Sequence, residues 1–92
     1  MLALEIEAHL PSSRSLKDKR QVVRSVLDTA RHRYTVAAAE VGHQDLRQRT
    51  ELGFAAVSGS VAHATQVIDE VERLVWSQPA LEVVRADRSW LG

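Results

Sequence analysis

Residues that could do chemistry concentrate in one polar segment, HQDLRQRTELG, at positions 43–53. His43 and Asp45 offer an imidazole and a carboxylate two positions apart, and Glu40 adds a second carboxylate just upstream. Such groups can ligate a divalent metal or exchange protons with a substrate. A hairpin turn, however, uses Asp and Gly for its geometry alone. The segment is therefore either a turn with surface residues or a site.

Motifs for metal binding and catalysis are missing from the rest of the sequence. A catalytic zinc usually takes three protein ligands in a fixed array, but His9, His32 and His63 lie on separate predicted elements and the chain has no Cys. The serines cluster at the predicted helix starts, where capping explains them, and there is no glycine-rich phosphate loop. We expect no metal, no cofactor and no catalytic residue, and a small enzyme that uses His43 and Asp45 stays open as a third hypothesis.

Basic residues precede the polar segment. Between positions 14 and 33, seven Lys and Arg face only Asp18 and Asp28, although the net charge of the chain is zero. This excess favours an anionic partner, and its alternative is an ordinary solvated helix face. Our candidate residues for contact with RNA or another partner are Arg14, Lys17, Lys19, Arg20, Arg24, His43, Gln44, Asp45, Arg47, Gln48 and Arg49.

Local patterns predict the elements that position these residues. LALEIEAHL alternates with the period of a half-buried strand. Ser15 with Asp18 three residues later predicts the start of a helix that runs to about residue 33. Residues 34–41 and 50–58 read as strands, residues 61–76 as an amphipathic helix with Val61 on its inner face, and LEVVRADRSWL as a last strand.

The order β-α-β-β-α-β predicts one α+β domain over residues 1–92. The expected architecture is ferredoxin-like, a four-stranded antiparallel sheet with two helices on one face. The second and third strands are apolar on both sides, which favours a covered sheet and hence a homodimer or a protein partner. The residues expected on that face are Ala37, Ala39, Val41, Ala55, Val57 and Trp90.

Composition limits the remaining classes. The absence of Cys agrees with a cytoplasmic setting. No apolar run approaches the length of a membrane span, so we expect no membrane partner. The chain has only four aromatic residues and lacks the aromatic run with which RRM domains stack RNA bases. Any RNA contact would therefore be made to phosphates by the first helix and the loop.

Two segments, SLKDKRQVVRSV and EVGHQDLRQRTELGFAAVS, resemble the signature segments of the bacterial YlxP-like family, a domain of unknown function. The resemblance covers essentially the whole chain. The positions that match are Ser15, Leu16, Lys17, Lys19, Arg20, Glu40, His43, Gln44, Asp45, Leu46, Gln48, Arg49 and Gly53. The sequence departs from the family at Arg47, where we expect an aromatic residue.

The resemblance implies a ferredoxin-like fold and assigns no catalytic residue. It also implies a gene that often lies near those for translation initiation factor two and ribosome-binding factor A. Two hypotheses lead. The first is a non-enzymatic cytosolic accessory factor that contacts structured RNA, such as ribosomal RNA, or a ribosomal subunit. The second is a homodimeric protein-interaction module that uses the apolar sheet face.

Overall fold

A computed structural model describes residues 1–91 of the chain. Its elements are β1 (Leu2–His9), α1 (Leu16–Arg33), β2 (Val36–Gly42), β3 (Arg49–Ala56), α2 (Val61–Trp76) and β4 (Glu82–Trp90). The strands form one antiparallel sheet in the order β2-β3-β1-β4. The predicted ferredoxin-like α+β fold is confirmed. The second strand begins two residues later than predicted, because Tyr34 caps the C-terminus of α1.

The core lies between the sheet and the two helices. In β1 every second side chain is buried, and the residues paired with them in β3 are buried on the same side. Helix α1 lies over β2, while α2 lies over β1 and β3. The buried apolar residues are Leu2, Leu4, Ile6, Ala8, Leu10, Val23, Val26, Leu27, Ala30, Leu52, Phe54, Ala56, Ala64, Ile68, Val71, Leu74, Val75 and Leu81.

Both helices begin at serine caps. Ser15 Oγ accepts a hydrogen bond of 3.1 Å from the Asp18 amide, and Ser60 Oγ accepts one of 3.2 Å from the His63 amide. Val61, predicted on the inner face of α2, is instead 68% exposed. The buried stripe of α2 starts only at Ala64, so the first turn lies outside the core.

The face of the sheet that the helices leave uncovered, here the open face, has two different halves. On β2 and β3 it carries small or apolar side chains, among them Ala37, Ala39, Val41 and Ala55, and Val57 just beyond β3 is 77% exposed. The other half, formed by β1, β4 and the N-terminal part of β3, is charged. The ladder residues of that second half are Glu5, Glu7, Glu51, Arg85 and Asp87.

Trp90 does not belong to the open face, which corrects the expectation from sequence. It lies directly opposite Leu2 in the ladder, and directly opposed residues point to the same side of a sheet. Leu2 is buried beneath the helices. Trp90 therefore lies on the helix side at the edge of the sheet, where it is 53% exposed.

Arg88 joins β4 to α2. Its guanidinium lies 2.8 Å from Asp69 Oδ1 and 3.0 Å from Glu72 Oε1. Burial lowers the pKa of Arg88, but the hydrogen bonds to these two carboxylates outweigh that effect and the pKa is raised above its ordinary value. The outer strand is thus tied to the helix layer by charge as well as by backbone pairing. In the described chain, neither helix has the length and apolarity needed to cross a membrane.

Candidate functional site

Lys19 is the anchor of the polar segment rather than one of its exposed contacts. Its side chain is completely buried, and its ammonium donates to the carbonyl oxygens of His43 (2.7 Å), Gln44 (3.2 Å) and Arg49 (3.2 Å). The expectation that Lys19 contacts a partner is therefore wrong. Position 19 falls on the inward stripe of α1 with Val23, so the side chain can only reach inward.

A carboxylate neutralises the buried ammonium. Glu40 Oε2 lies 3.1 Å from Lys19 Nζ, and the Thr50 hydroxyl donates to the same oxygen at 2.6 Å. Thr50 is fully buried, and the Glu40 side chain is only 16% exposed. A buried charge is tolerated only when it is paired and hydrogen-bonded, and both conditions are met here.

The loop between β2 and β3, residues 43–48, is held at two further points. The Gln44 side-chain amide donates to the Glu40 carbonyl at 3.2 Å. The Gln48 amide reaches across to the segment that precedes α1 and donates to the Pro11 and Ser13 carbonyls at 3.4 and 3.2 Å. These bonds fix the loop against the start of α1. Gln44 and Gln48 thus use their amides within the protein itself.

His43 faces the charged half of the open face and not Asp45. Its backbone has a positive φ of 57°, which few residues other than glycine adopt readily. Its Nε2 lies 3.6 Å from Glu7 Oε2 and 4.0 Å from Glu51 Oε2. Asp45 is exposed near the tip of the loop. The imidazole and the Asp45 carboxylate therefore do not form the pair that an enzyme hypothesis would use.

Two glycines allow close packing beside the loop. A Cβ on Gly42 would lie 2.7 Å from Glu51 Oε2, and a Cβ on Gly53 would lie 2.9 Å from Val41 Cγ1. Side chains at these positions would push against β2 and β3 at the base of the loop. Glycine at positions 42 and 53 therefore lets β2 and β3 pack closely at the base of the loop.

Five of the predicted contact residues remain as exposed cations on α1, just before it and in the loop between β2 and β3. Arg14 precedes α1, Lys17, Arg20 and Arg24 lie on one side of α1, and Arg47 lies in the anchored loop. We call these five residues the basic surface. None of them forms an ion pair with any residue in positions 1–91, and their acidic neighbours in sequence are Asp18 and Asp45.

Arg49 lies apart from the basic surface. It opposes His9 in the ladder, which directs its side chain to the open face, and it lines a cavity together with Glu7 and Glu82. The register of β3 thus places Arg49 on the other side of the sheet from the arginines of α1, and its predicted contact with a partner stays a prediction.

A groove runs between α1 and the outer edge of β2. Arg20, Arg24 and Arg31 line it from the helix, and Asp28 and Glu40 are its acidic residues. Asp28 already lies 3.2 Å from Arg31, and Glu40 is paired with Lys19. Among the described residues of this groove, the cations without an ion pair are therefore Arg20 and Arg24. Such an arrangement can bind an anionic group, and it contains no nucleophile and base in contact.

Within residues 1–91 no three His, Asp or Glu side chains are placed to hold a metal ion.

The feature that sequence reasoning missed is the buried Lys19–Glu40 pair. The sequence does contain a sign of this pair. Lys19 interrupts the apolar stripe of α1, and Glu40 interrupts the apolar row of β2 that faces this helix.

The fold and this anchored loop define a small ferredoxin-like domain whose polar segment is built around a buried lysine. Residues 1–88 match the family described as "Protein of unknown function (DUF503)", and the chain belongs to that family. The chain is 33% identical over 86 residues to the "Uncharacterized protein YlxP" of Bacillus subtilis (strain 168), and the alignment covers 94% of each chain.

Proposed function

We propose that the protein is a non-enzymatic cytosolic accessory factor that contacts structured RNA, in a ribosomal particle, through the basic surface. One observation carries the proposal: Lys17, Arg20 and Arg24 are exposed on one side of α1 and pair with no carboxylate in residues 1–91. Cations that a protein does not neutralise itself are available for phosphates. The gene neighbourhood that the family resemblance implies favours ribosomal RNA as their source.

The position of the aromatic residues favours phosphate contacts over base stacking. Phe54 is buried beneath the helices, Trp90 lies on the helix side, Tyr34 caps α1 and Trp76 ends α2. The open face therefore has no aromatic platform in the described part of the chain. Binding should depend on the shape and backbone of folded RNA and only weakly on its sequence.

The test is co-sedimentation with purified ribosomal subunits at about 50 mM and about 200 mM salt. If four phosphates are neutralised, the association constant should fall roughly a hundredfold between these conditions. The double variant Arg20→Glu/Arg24→Glu should bind more weakly at low salt. Its salt dependence should also be shallower, by about one unit of slope for each phosphate that is no longer neutralised.

Arg33→Glu/Arg73→Glu is the matched control, because it changes the net charge equally at two exposed arginines outside the basic surface. It should keep most of the binding. Equal losses in both double variants, or binding that salt does not weaken, would reject phosphate contact through the basic surface.

The second hypothesis, a protein-interaction module that uses the open face, stays a prediction. Val41 and Val57 are its most exposed apolar residues. A protein partner on that face would be lost in Val57→Asp and retained in Arg20→Glu/Arg24→Glu, since the two surfaces are separate.

A further inference from the structure

The two outer strands of the sheet, β2 and β4, differ in whether the backbone groups on their free edges have hydrogen-bond partners. On β2, the Ala38 carbonyl accepts a hydrogen bond from the Arg31 guanidinium, and the Glu40 carbonyl accepts one from Gln44. The Val36 amide donates to the Tyr34 carbonyl at 3.0 Å. Side chains and the preceding loop thus occupy three backbone groups of β2. This protects the edge from pairing with another strand.

The free backbone groups of β4 follow from its pairing with β1. Met1 and Leu91 exchange two hydrogen bonds, so they form a hydrogen-bonded pair. Such pairs alternate with non-hydrogen-bonded pairs along an antiparallel ladder. Counting from Leu91 along the register, Ala86, Arg88 and Trp90 direct their amide and carbonyl groups away from β1.

The same alternation can be checked at the other edge of the sheet. Followed from β1 through β3 to β2, it places the amide and carbonyl of Ala38 on the free edge of β2. The Ala38 carbonyl does accept a hydrogen bond there, from Arg31. Within residues 1–91 no side chain donates to a carbonyl of β4 or accepts from one of its amides. The edge of β4 therefore differs from that of β2 in being open for strand pairing.

We propose that β4 is the interface of a twofold-symmetric homodimer, in which β4 of one protomer pairs antiparallel with β4 of a second copy. Ala86 is the central residue of β4 and directs its backbone outward, so it can exchange two hydrogen bonds with Ala86 of the partner subunit. This arrangement joins the two sheets into one of eight strands.

Charge complementarity selects a second copy as the occupant of this edge. With Ala86 on the twofold axis, Arg85 lies directly opposite Asp87 of the partner subunit, and the symmetry repeats this pair. Both side chains lie on the open face and are exposed, and the Arg85 Nε already lies 3.0 Å from its own Asp87 Oδ2. Opposite charges at directly opposed positions of an antiparallel pair are favourable.

The extent of the pairing is set by the bulge in β4. The register shifts between Glu7 and Ala8, which leaves Val84 as an extra residue that is 65% exposed. Regular pairing about Ala86 therefore covers residues 85–87, and the bulged Val84 lies at the end of this stretch, beside Arg88 of the partner subunit. Association should bury part of Val84, an apolar side chain that the monomer leaves in water.

A cross-linking experiment tests the twofold position directly, because the chain has no Cys. In a hydrogen-bonded antiparallel pair the Cα atoms are about 5.5 Å apart, within the range that a disulfide spans. Ala86→Cys should therefore give a disulfide-linked dimer under mild oxidation. Ala38→Cys is the matched control, since it also lies mid-strand on an outer edge, is also half-buried and also directs its backbone outward.

Charge exchange tests the register. In sedimentation equilibrium, Arg85→Asp and Asp87→Arg should each raise the dimer dissociation constant about tenfold or more, because each places like charges opposite each other twice. The double variant Arg85→Asp/Asp87→Arg restores opposite charges and should recover dimerisation. The circular dichroism of all three should stay unchanged, since both side chains are exposed.

A wild-type chain that sediments as a monomer at every accessible concentration would overturn the proposal. Equal cross-linking of Ala86→Cys and Ala38→Cys would also overturn it. So would a dimer whose dissociation constant is unchanged in Arg85→Asp and Asp87→Arg but which is lost in Val57→Asp. The proposal does not depend on RNA binding, and the two sets of variants alter different residues.

Discussion

Replacement of Lys19 by Met should strongly destabilise the protein. Met keeps the length and apolar stem of the lysine but removes the ammonium that binds two loop carbonyls, the carbonyl of the first residue of β3 and the Glu40 carboxylate. The loop then loses its anchor. Glu40 is left as a largely buried carboxylate whose remaining partner is the Thr50 hydroxyl.

The structure sets the size of this effect. Removing one partner of a buried ion pair typically costs about 3–5 kcal/mol, because the other charge stays buried without compensation. Water that reaches the loop carbonyls would relieve part of their loss, so we expect about 3 kcal/mol. For a domain of this length that corresponds to a fall in Tm of about 12–24 °C.

Urea unfolding followed by circular dichroism measures the change, with Lys17→Met as the matched control. Lys17 lies two residues away on the same turn of α1 and is exposed, so its replacement should change the free energy of unfolding by less than about 0.5 kcal/mol. The double variant Lys19→Met/Glu40→Leu removes both charges and should recover part of the stability lost in Lys19→Met.

A loss below about 1 kcal/mol in Lys19→Met would refute the reasoning, because that is the range of an ordinary neutral hydrogen bond and not of a buried ion pair. The reasoning would also be refuted if the losses of stability in Lys19→Met and in Glu40→Leu simply added up in the double variant. The buried pair requires that removing Glu40 costs less once Lys19 is gone.

Two further changes probe the base of the loop and its clamp. Gly53→Ala should lower the free energy of unfolding by about 1 kcal/mol because its Cβ would collide with Val41, and Gly53→Ala/Val41→Ala should be more stable than Gly53→Ala in the same urea titration. Gln48→Met removes the donor to the Pro11 and Ser13 carbonyls, and hydrogen exchange should report faster opening of the Leu46 amide than in the wild type, whereas an unchanged rate would show that the clamp does not hold the loop.

The element order could be predicted from sequence because the signals are local. The alternation in β1 and the serine caps of both helices depend only on neighbouring residues, and the structure places these elements where the patterns do. The face of Trp90 could not be predicted in this way. It depends on the register between β4 and β1 and on the bulge at Val84, which shifts the alternation between Val83 and Arg85.

The same distinction applies to the candidate site. The basic surface lies where helix periodicity predicts it, because Lys17, Arg20 and Arg24 fall on one side of any regular helix. The position of Arg49 depends instead on the pairing of β3 with β1, since a shift of one residue would turn its side chain to the other face. Tertiary register, which no local pattern specifies, therefore decides which of the predicted contact residues lie on the same face of the molecule.

In the polar segment and the adjoining part of α1, some residues hold the loop in place and others are exposed to a partner. This difference determines which variants can reveal the function. Lys19, Gln44 and Gln48 hold the loop, so their replacement would weaken any binding through loss of the loop conformation. Such a loss would say nothing about direct contact. Arg47 and Arg20 are exposed and free of ion pairs in the described chain, and their replacement leaves the anchor intact. Binding that disappears with these two arginines at unchanged Tm would therefore identify a contact surface, whereas loss that follows Tm would identify only the scaffold.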